Sequence, residues 1–491
     1  MSEIETRLQE AMRLHRAGDT DAAIAVYREL VDAAPDNADV WHLLGVAVHQ
    51  KGNHRLAAEL IETAISLNGQ APDYHSNLGM VRRAMSDDNG AEDAFRRAIE
   101  IDAGHARSLS NLAGVLRSRG DFDAALEAAG AAVAHGESVA GDRGEGDAEA
   151  HNNLGNAFKD CGRVQDAVES YRRAIELAPD FALAHWNLSL ALASLGQLPE
   201  AFTEMAWRWQ WSGFPALRRD FTVPAWRGEP VEGSNILLHA EQGLGDAIHF
   251  VRYAPLVQRL GARVIVECPA ALAPLTAAAG IADEVIAAGD ALPPFDRHAP
   301  FLDLPRIFAT SLENLPAEVP YLAVDQAVRD AWREKLGALD GLKVGLNWLG
   351  NSDSPVERFR GLPLGGLAPL AEVAGVSWVS LQKGPGGDAA PRPEAAFDLI
   401  ETGEGALTDT AALILALDLV ITSDTMVAHL AGALGRPAWI LLHHAPDWRW
   451  MLGRNDSPWY PSLKLCRQAV AGDWAPVIEA AAADLASLAG R

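Results

Sequence analysis

The sequence predicts an α + α/β fold, in which an array of paired helices precedes two doubly wound α/β halves. Two observations predict it. Small and large apolar residues recur about every 34 residues through roughly the first 210 residues, a spacing typical of helix-pair repeats. From Asn235 onward, short apolar runs alternate with glycine-containing turns and amphipathic stretches, which is typical of parallel strands joined by helices. The expected divisions are the helical array over 1–212, a connector over 213–233, and two α/β halves over 234–340 and 341–491.

Composition and charge narrow the classes of function. The chain has 491 residues, 49% of them apolar, and its 66 acidic against 41 basic residues give a net charge of −25. This acidity argues against sequence-independent nucleic-acid binding and against an anionic membrane surface, because both need a basic footprint. The charged N-terminus lacks the apolar core of a signal peptide, and no apolar run is long enough to span a bilayer. Three scattered cysteines fit neither a disulfide framework nor a metal site, so we expect a reducing, cytoplasmic location.

The N-terminal repeat keeps its phase over about six units. Its marks are a large and a small residue on the first helix of each pair and a small residue on the second: Leu44, Gly45 and Ala57; Leu78, Gly79 and Ala91; Leu112, Ala113 and Ala125; and, after an insertion, Leu154, Gly155 and Ala167. The insertion falls in the acidic, glycine-rich stretch Gly136–Asp147, which predicts a loop between units rather than a domain boundary. This period resembles the tetratricopeptide repeat, with small residues where paired helices touch and large ones where they interlock.

Four consecutive units carry asparagine at the same position of their first helix: Asn77, Asn111, Asn153 and Asn187. First helices line the concave face of a stacked array, where a ladder of amides can pair with the backbone of an extended peptide. Alternatively, the amides bond neighbouring helices and hold the superhelix together. The O-GlcNAc transferase family uses a similar ladder to hold acceptor polypeptides, and by that resemblance we favour binding of a protein acceptor.

The first α/β half opens with a predicted strand at Asn235–Ala240, followed by the turn Glu241–Asp246 and a helix from Ala247 to about Leu260. Further strands are predicted at Arg263–Glu267 and Glu284–Ala287. Closely spaced Gly243 and Gly245 let a ligand approach the backbone. The turn is not the dinucleotide-binding fingerprint, so an NAD site is disfavoured. Asp246 either caps the helix or is a carboxylate at the mouth of a cleft, able to act as a base.

The second α/β half repeats the pattern of strands that run into small-residue turns. One strand opens at Lys343 and leads to Asn347 and Asn351, and another, Ser377–Leu381, leads to Gln382 and Lys383. The cations at such strand ends are Arg358, Arg360 and Lys383. Each one alone is more simply a solvated surface charge. Together, beside a helix start, they favour binding of a phosphate or diphosphate group.

The stretch Leu419–Gly435 reads as a buried strand, a polar turn and a helix closed by glycine, with a further strand at Ala438–Leu442. Asp424 is expected to be the helix N-cap, flanked by Ser423 and Thr425, and His429 lies one helical turn beyond. Strand, turn and helix in this order present free backbone N–H groups and the positive end of a helix dipole to a phosphate. An ordinary capped helix would show the same pattern.

Three segments carry a family resemblance: Gly243–Asp246, Arg360–Pro363 and Asp424–Gly432. They resemble the lipopolysaccharide heptosyltransferase-like glycosyltransferases of GT-B architecture, which have two Rossmann-like halves, over roughly residues 230–475. With the repeats in front, the chain resembles bacterial protein glycosyltransferases, including flagellin glycosyltransferases that use sialic-acid-like sugars. The segment His444–Trp450 continues the pattern of the repeat-bearing members, and its aromatic residues either shape a donor pocket or pack a core.

The resemblance implies a metal-independent, inverting protein O-glycosyltransferase without a resident cofactor. Its donor would be a CMP- or UDP-linked sugar, and its acceptor a serine or threonine of a protein such as flagellin, held by the repeats. Asp246 would be the catalytic base, and Arg360 stands where heptosyltransferases have a phosphate-binding lysine. The candidate donor-binding residues are Gly243, Gly245, Asn347, Asn351, Arg360, Gln382, Lys383, Ser423, Asp424, Thr425 and His429. The alternative is a non-catalytic repeat scaffold or adaptor with a degenerate nucleotide-sugar-binding region.

Overall fold

A computed structural model describes residues 3–139, 144–216, 218–350, 360–362, 364–383, 397–403 and 405–490. The chain divides into two compact units, Met1–Asn187 and Leu188–Arg491. This division lies upstream of residue 212, where the sequence analysis ends the helical array. None of the described helices is both long and apolar enough to cross a membrane.

The described part of the first unit is helical and follows the predicted pairing. Its helices are α1 Glu3–Arg16, α2 Thr20–Ala33, α3 Ala38–Gln50, α4 His54–Leu67, α5 Pro72–Ala84, α6 Asp88–Ile101, α7 Ala106–Arg119, α8 Phe122–Val139, α9 Gly144–Asp160, α10 Val164–Leu177 and α11 Ala182–Ser194, the last of which crosses the division between units. The loop expected over Gly136–Asp147 is wrong at its two ends, because α8 extends to Val139 and α9 begins at Gly144, while residues 140–143 lie outside the described residues.

Glycines on the first helices explain why the repeat pattern alternates small and large residues. A Cβ added at Gly79 would lie 2.5 Å from the ring of Phe95, and one at Gly155 would lie 2.5 Å from the ring of Tyr171. Both rings are fully buried. In these two pairs, therefore, an aromatic ring of the second helix packs directly on a glycine of the first.

In the part of the second unit that the structure describes, the strands form two sheets, and all pairings between these strands are parallel. The first sheet consists of β1 Asn235–His239, β2 Arg263–Cys268, β3 Glu284–Ala287 and β4 Arg297–Pro300, in the order β3-β2-β1-β4. The second consists of β5 Leu342–Asn347, β6 Val376–Ser380, β7 Leu399–Ile400, β8 Leu419–Ser423, β9 Ala438–Leu442 and β10 Leu463–Arg467, in the order β10-β9-β8-β5-β6-β7. The strand order reverses beside β1 in the first sheet and between β5 and β8 in the second, where parallel sheets leave a crevice at their carboxyl edge.

Most of the described helices of the second unit have ten residues or fewer. They are Leu198–Glu204, Leu244–Phe250, Ala254–Gln258, Ala273–Ala279, Leu304–Ile307, Gln326–Leu336, Ala368–Ala371, Leu407–Ala416, Met426–Ala433 and Ala475–Ala489, with 3₁₀ turns at Met205–Trp209, Val251–Tyr253, Phe301–Asp303, Leu364–Leu367 and Trp448–Trp450. The helix expected from Ala247 to Leu260 is interrupted by the 3₁₀ turn ahead of Pro255, since proline removes a helical hydrogen bond.

The core of the six-stranded sheet contains Val344 and Leu346 of β5 and Ile421 of β8. The final helix, Ala475–Ala489, packs on this sheet through Ile478 and Leu485. Apolar strands covered on both faces are typical of parallel sheets. This packing leaves the carboxyl ends of β5, β6 and β8 available to build a site.

Candidate functional site

One cavity of about 760 Å³ lies between the two sheets of the second unit. Ten of the residues selected from the sequence line it: Gly243, Gly245, Asp246, Asn347, Arg360, Gln382, Lys383, Asp424, Thr425 and His429. Ser423 does not; it is fully buried at the end of β8. Asn351 and Arg358 lie outside the described residues. The turns after β1, β5, β6 and β8 thus meet around a volume within the range typical of ligand sites.

The start of the Met426–Ala433 helix differs by one residue from the sequence prediction. Thr425, not Asp424, is the N-cap, and its Oγ1 accepts a hydrogen bond from the backbone N–H of Val427 at 3.3 Å. Thr425 Oγ1 also donates to Asn347 Oδ1 at 2.9 Å. Because the hydroxyl of Thr425 is fixed from β5, the carboxylate of Asp424 is released from capping and lines the cavity.

The amides of Asn347 and Gln382 fix the strand ends to one another. Asn347 Nδ2 donates to Gln382 Oε1 at 3.0 Å, and that oxygen also accepts from the backbone N–H groups of Trp348 and Leu349 at 3.2 and 3.0 Å. Thr422 Oγ1 donates to Asn347 Oδ1 at 3.0 Å. These contacts occupy both amides, so Asn347 and Gln382 support the cavity wall by joining the ends of β5, β6 and β8.

Asp246 is held by an arginine that the sequence analysis did not select. Arg449 Nη2 donates to Asp246 Oδ1, while Arg449 Nη1 donates to Asp447 Oδ1 at 3.0 Å. The guanidinium of Arg449 is 4.5 Å from the ring centre of Trp448 and 5.4 Å from that of Phe250. Arg449 and Asp447 line the same cavity. The segment His444–Trp450, noted from its resemblance, was the signal that could have found them.

Burial and neighbouring charges shift the titration of the three aspartates. Burial raises the pKa of Asp246, and the charge of Arg449 opposes the rise. Burial, assisted by Asp447, raises the pKa of Asp424 to about 6. Burial also acts to raise the pKa of Asp447, but the charge and hydrogen bonds of Arg449 outweigh it and lower that pKa. The cavity therefore contains one carboxylate poised near neutral pH and two that share a guanidinium.

His429 is a buried, neutral contact between the two α/β halves. Its Nδ1 is 3.0 Å from the hydroxyl of Tyr460, which is also 3.0 Å from Nδ1 of His249. The ring of His429 stacks on Trp450 with centres 5.2 Å apart. Burial lowers the pKa of His429 to about 3. A Cβ at Gly245 would lie 3.2 Å from the His429 ring, so glycine permits the close approach of the two helices.

A smaller cavity of about 320 Å³ lies at the carboxyl edge of the first sheet and is lined by Glu241, His239 and Glu267. Glu241 pairs with the fully buried Arg208 at 2.8 Å, and Arg208 also pairs with Asp303 at 2.8 Å. Burial raises the pKa of Glu241 to about 8, with Arg208 opposing. The turn Glu241–Asp246 therefore contributes to both cavities, since its first residue lines one and its last lines the other.

In the first unit, the asparagine ladder bonds neighbouring repeats. Each paired amide meets the residue one position earlier in the preceding repeat: Asn77 meets His42 at 2.7 Å, Asn153 donates to Ser110 at 2.7 Å, and Asn187 donates to Asn152 at 2.9 Å. The same register would join Asn111 to Ser76, but the buried Ser76 hydroxyl has no hydrogen-bond partner among the described residues. Three of the four asparagines thus stabilise the array by bonding to the preceding repeat, whereas Asn111 does not make the corresponding bond.

Comparisons with known proteins identify the repeats. Two tetratricopeptide repeat family models match, one over residues 104–180 and one over residues 8–75 and 50–106. Protein FlbA of Caulobacter vibrioides is 26% identical over 507 residues, covering 89% of this chain and 82% of FlbA. Tetratricopeptide repeat protein 7B of Homo sapiens is 29% identical over 86 residues, covering 18% of this chain and 10% of that protein.

One solved structure resembles part of this chain. The crystal structure of MamA covers 36% of this chain and 93% of MamA, with 23% identity and a TM-score of 0.30. The family models show that the first unit contains tetratricopeptide repeats, and the chain as a whole has distant sequence similarity to FlbA.

Proposed function

We propose that the chain is a protein O-glycosyltransferase of GT-B architecture, which transfers a sugar from a CMP- or UDP-linked donor to a serine or threonine hydroxyl. One observation carries the proposal: Asp246, Arg360, Lys383 and the helix start at Thr425 line a single cavity between two parallel sheets. A carboxylate on one wall and cations with a helix N-terminus on the other are what transfer from a phosphate-bearing donor requires.

In the proposed reaction, one wall of the cavity provides the base and the other stabilises the leaving phosphate. Asp246 takes the proton of the acceptor hydroxyl while the hydroxyl oxygen attacks the anomeric carbon. The bond from that carbon to the donor phosphate breaks, and Arg360, Lys383 and the N–H groups after Thr425 stabilise the departing phosphate. Attack from the side opposite the phosphate inverts the anomeric centre. No step of this scheme is assigned to a metal or a resident cofactor.

In this proposal the repeats bind the protein acceptor. Tetratricopeptide arrays present an extended concave surface suited to polypeptide binding. The amide of Asn111 has no counterpart bond to Ser76, so it is the rung best able to pair with an acceptor backbone. Flagellin is the acceptor we propose, on the resemblance of the repeats and cavity motifs to flagellin glycosyltransferases.

Nucleotide release from a donor panel tests the proposal. The purified full chain is incubated with CMP- and UDP-linked sugars, with and without flagellin, and free CMP or UDP is quantified by chromatography. We expect release from one donor class that rises when flagellin is added and is lost in Asp246→Ala. Release from neither class, with flagellin present, would contradict the proposal.

A non-catalytic repeat scaffold is the second candidate, favoured by one observation: Asp246 is neutralised by Arg449 rather than left as a free base. A scaffold would bind flagellin without releasing nucleotide from any donor. The same assay, combined with a flagellin pull-down on the full chain, separates the two functions.

A further inference from the structure

Arg449 is a tightly held cation of the cavity. Its residue is 6% exposed, and its two terminal nitrogens are committed to Asp246 and Asp447. Asp447 Oδ1 also accepts the backbone N–H of Arg449 at 3.0 Å, which anchors the turn. The Nε–H of Arg449 is buried and has no hydrogen-bond partner among the described residues. A buried donor without an acceptor is costly, and an incoming anion would satisfy it.

The aromatic rings around Arg449 permit its guanidinium to turn. Trp448 and Phe250 lie near it with their rings 26° from parallel. A cation over aromatic faces keeps that attraction while it changes hydrogen-bond partners in the plane. The bond to Asp447 fixes one end of the guanidinium, so a small rotation exchanges only the contact to Asp246.

We propose that Arg449 is a positioning residue shared between Asp246 and the donor phosphate. Before a donor binds, it neutralises Asp246; when the phosphate enters, it turns to the phosphate and releases Asp246 to accept a proton. This inference rests on the proposed function. In the transfer, the acceptor oxygen bonds to the anomeric carbon and its proton goes to Asp246. The phosphate leaves with the bonding electron pair beside Arg449.

The charged groups around Asp246 determine in which direction its pKa changes when Arg449 turns away. Arg449 lowers the pKa of Asp246, whereas burial and Asp447 raise it. Asp246 in turn raises the pKa of Glu241 on the other side of the turn. Withdrawal of the guanidinium therefore raises the pKa of Asp246, which makes it a stronger base for the acceptor proton. In the absence of an acceptor, phosphate binding should be accompanied by partial proton uptake from solvent.

Isothermal titration calorimetry of the full chain with CMP and UDP, in buffers of different ionisation enthalpy, tests this competition. We expect Asp246→Asn to bind its nucleotide about tenfold more tightly than wild type, since the phosphate no longer displaces a charged hydrogen bond. Proton uptake should be larger in wild type than in Asp246→Asn, because Asp424 in the same cavity, with a pKa of about 6, can take up a proton in both. Asp246→Ala should change affinity in the same direction. The matched control is Asp456→Asn, which removes a carboxylate from the Arg454–Asp456 pair on the exposed surface and should leave affinity unchanged.

The possible results distinguish failure of the inference about Arg449 from failure of the proposed glycosyltransferase function. If wild type binds a nucleotide and Asp246→Asn binds it equally or more weakly, Asp246 serves to orient Arg449 and the inference is wrong, while the proposed function stands. If wild type binds neither CMP nor UDP, both are wrong. Thermal melting of each variant confirms that it is folded.

Discussion

Asp424 is a buried carboxylate of the cavity whose ionisation is unfavourable. Burial, with the repulsion of Asp447, raises its pKa from 3.8 to about 6. The folded chain therefore binds this proton at a higher pH than the unfolded chain does. The contribution of Asp424 to the free energy of unfolding therefore falls as the pH rises from about 4 to about 6. Above that range the ionised carboxylate destabilises the folded chain by a constant amount. Such a penalty is typical of a residue retained for a task other than stability.

The Asp424→Asn variant should report this penalty. At pH 7.5 we expect it to be more stable than wild type by on the order of 2 kcal/mol, because an amide avoids the cost of a buried charge. The gain should shrink as the pH falls to 4.5, where wild type is protonated. Urea unfolding at the two pH values measures it, and Asp484→Asn, at an exposed position, is the control. An equal gain at both pH values would contradict the assignment.

At the scale of elements, the contact between the Leu244–Phe250 and Met426–Ala433 helices joins the two α/β halves. It depends on Gly245, where a Cβ would lie 3.2 Å from the ring of His429. That ring cannot yield easily, because it stacks on Trp450 and is bonded to Tyr460. At Gly243, two residues earlier, a Cβ would meet only Asp246 Oδ2 at 3.4 Å.

These two glycines form a matched pair of variants. Gly245→Ala should destabilise the second unit by about 1 kcal/mol, since overpacking of a buried contact outweighs the gain in helix propensity. Gly243→Ala should leave the melting temperature within error of wild type. Differential scanning calorimetry measures both. Equal effects at the two positions would show that the backbone of the turn, rather than contact with His429, requires glycine.

The asparagine ladder has two possible roles, hydrogen bonding between repeats and binding of the acceptor, and variants can separate them. Asn153→Ala removes a hydrogen bond to Ser110 and should lower the stability of the repeat array by about 1 kcal/mol. Asn111→Ala should leave stability unchanged but weaken binding of the flagellin acceptor. Thermal melting and fluorescence anisotropy with labelled flagellin provide the two readings. Should Asn111→Ala bind flagellin as wild type does, the ladder would be purely structural.

At the scale of the whole molecule, periodicity alone was enough to find the repeats and most strands. The runs at Asn235, Glu284 and Ala438 are apolar and bounded by turn residues, and strands begin at each. Strand β4, Arg297–Pro300, was not predicted, because arginine, histidine and proline give no apolar run. Strand β10, Leu463–Arg467, alternates with charged residues and was missed for the same reason.

The site could be predicted only where it depends on turns that follow strands. Gly245, Asp246 and Thr425 were selected because a strand, a turn and a helix in that order build a ligand-binding edge. Arg449 was not, because its partner Asp246 is 203 positions away and only tertiary folding brings them together. The N-cap was misassigned to Asp424 because local sequence cannot reveal that Asn347 fixes the hydroxyl of Thr425.

The intact mass of flagellin co-expressed with this chain is the most direct test of the central claim, that the cavity transfers an activated sugar to protein. With wild type we expect flagellin to gain the mass of one or more sugar residues. With Asp246→Ala we expect no gain, since removal of a general base typically costs about 10²–10⁴-fold in rate. Co-expression with Asp456→Asn should give the wild-type gain. Flagellin of unmodified mass beside wild type, or equal modification beside Asp246→Ala, would contradict the account.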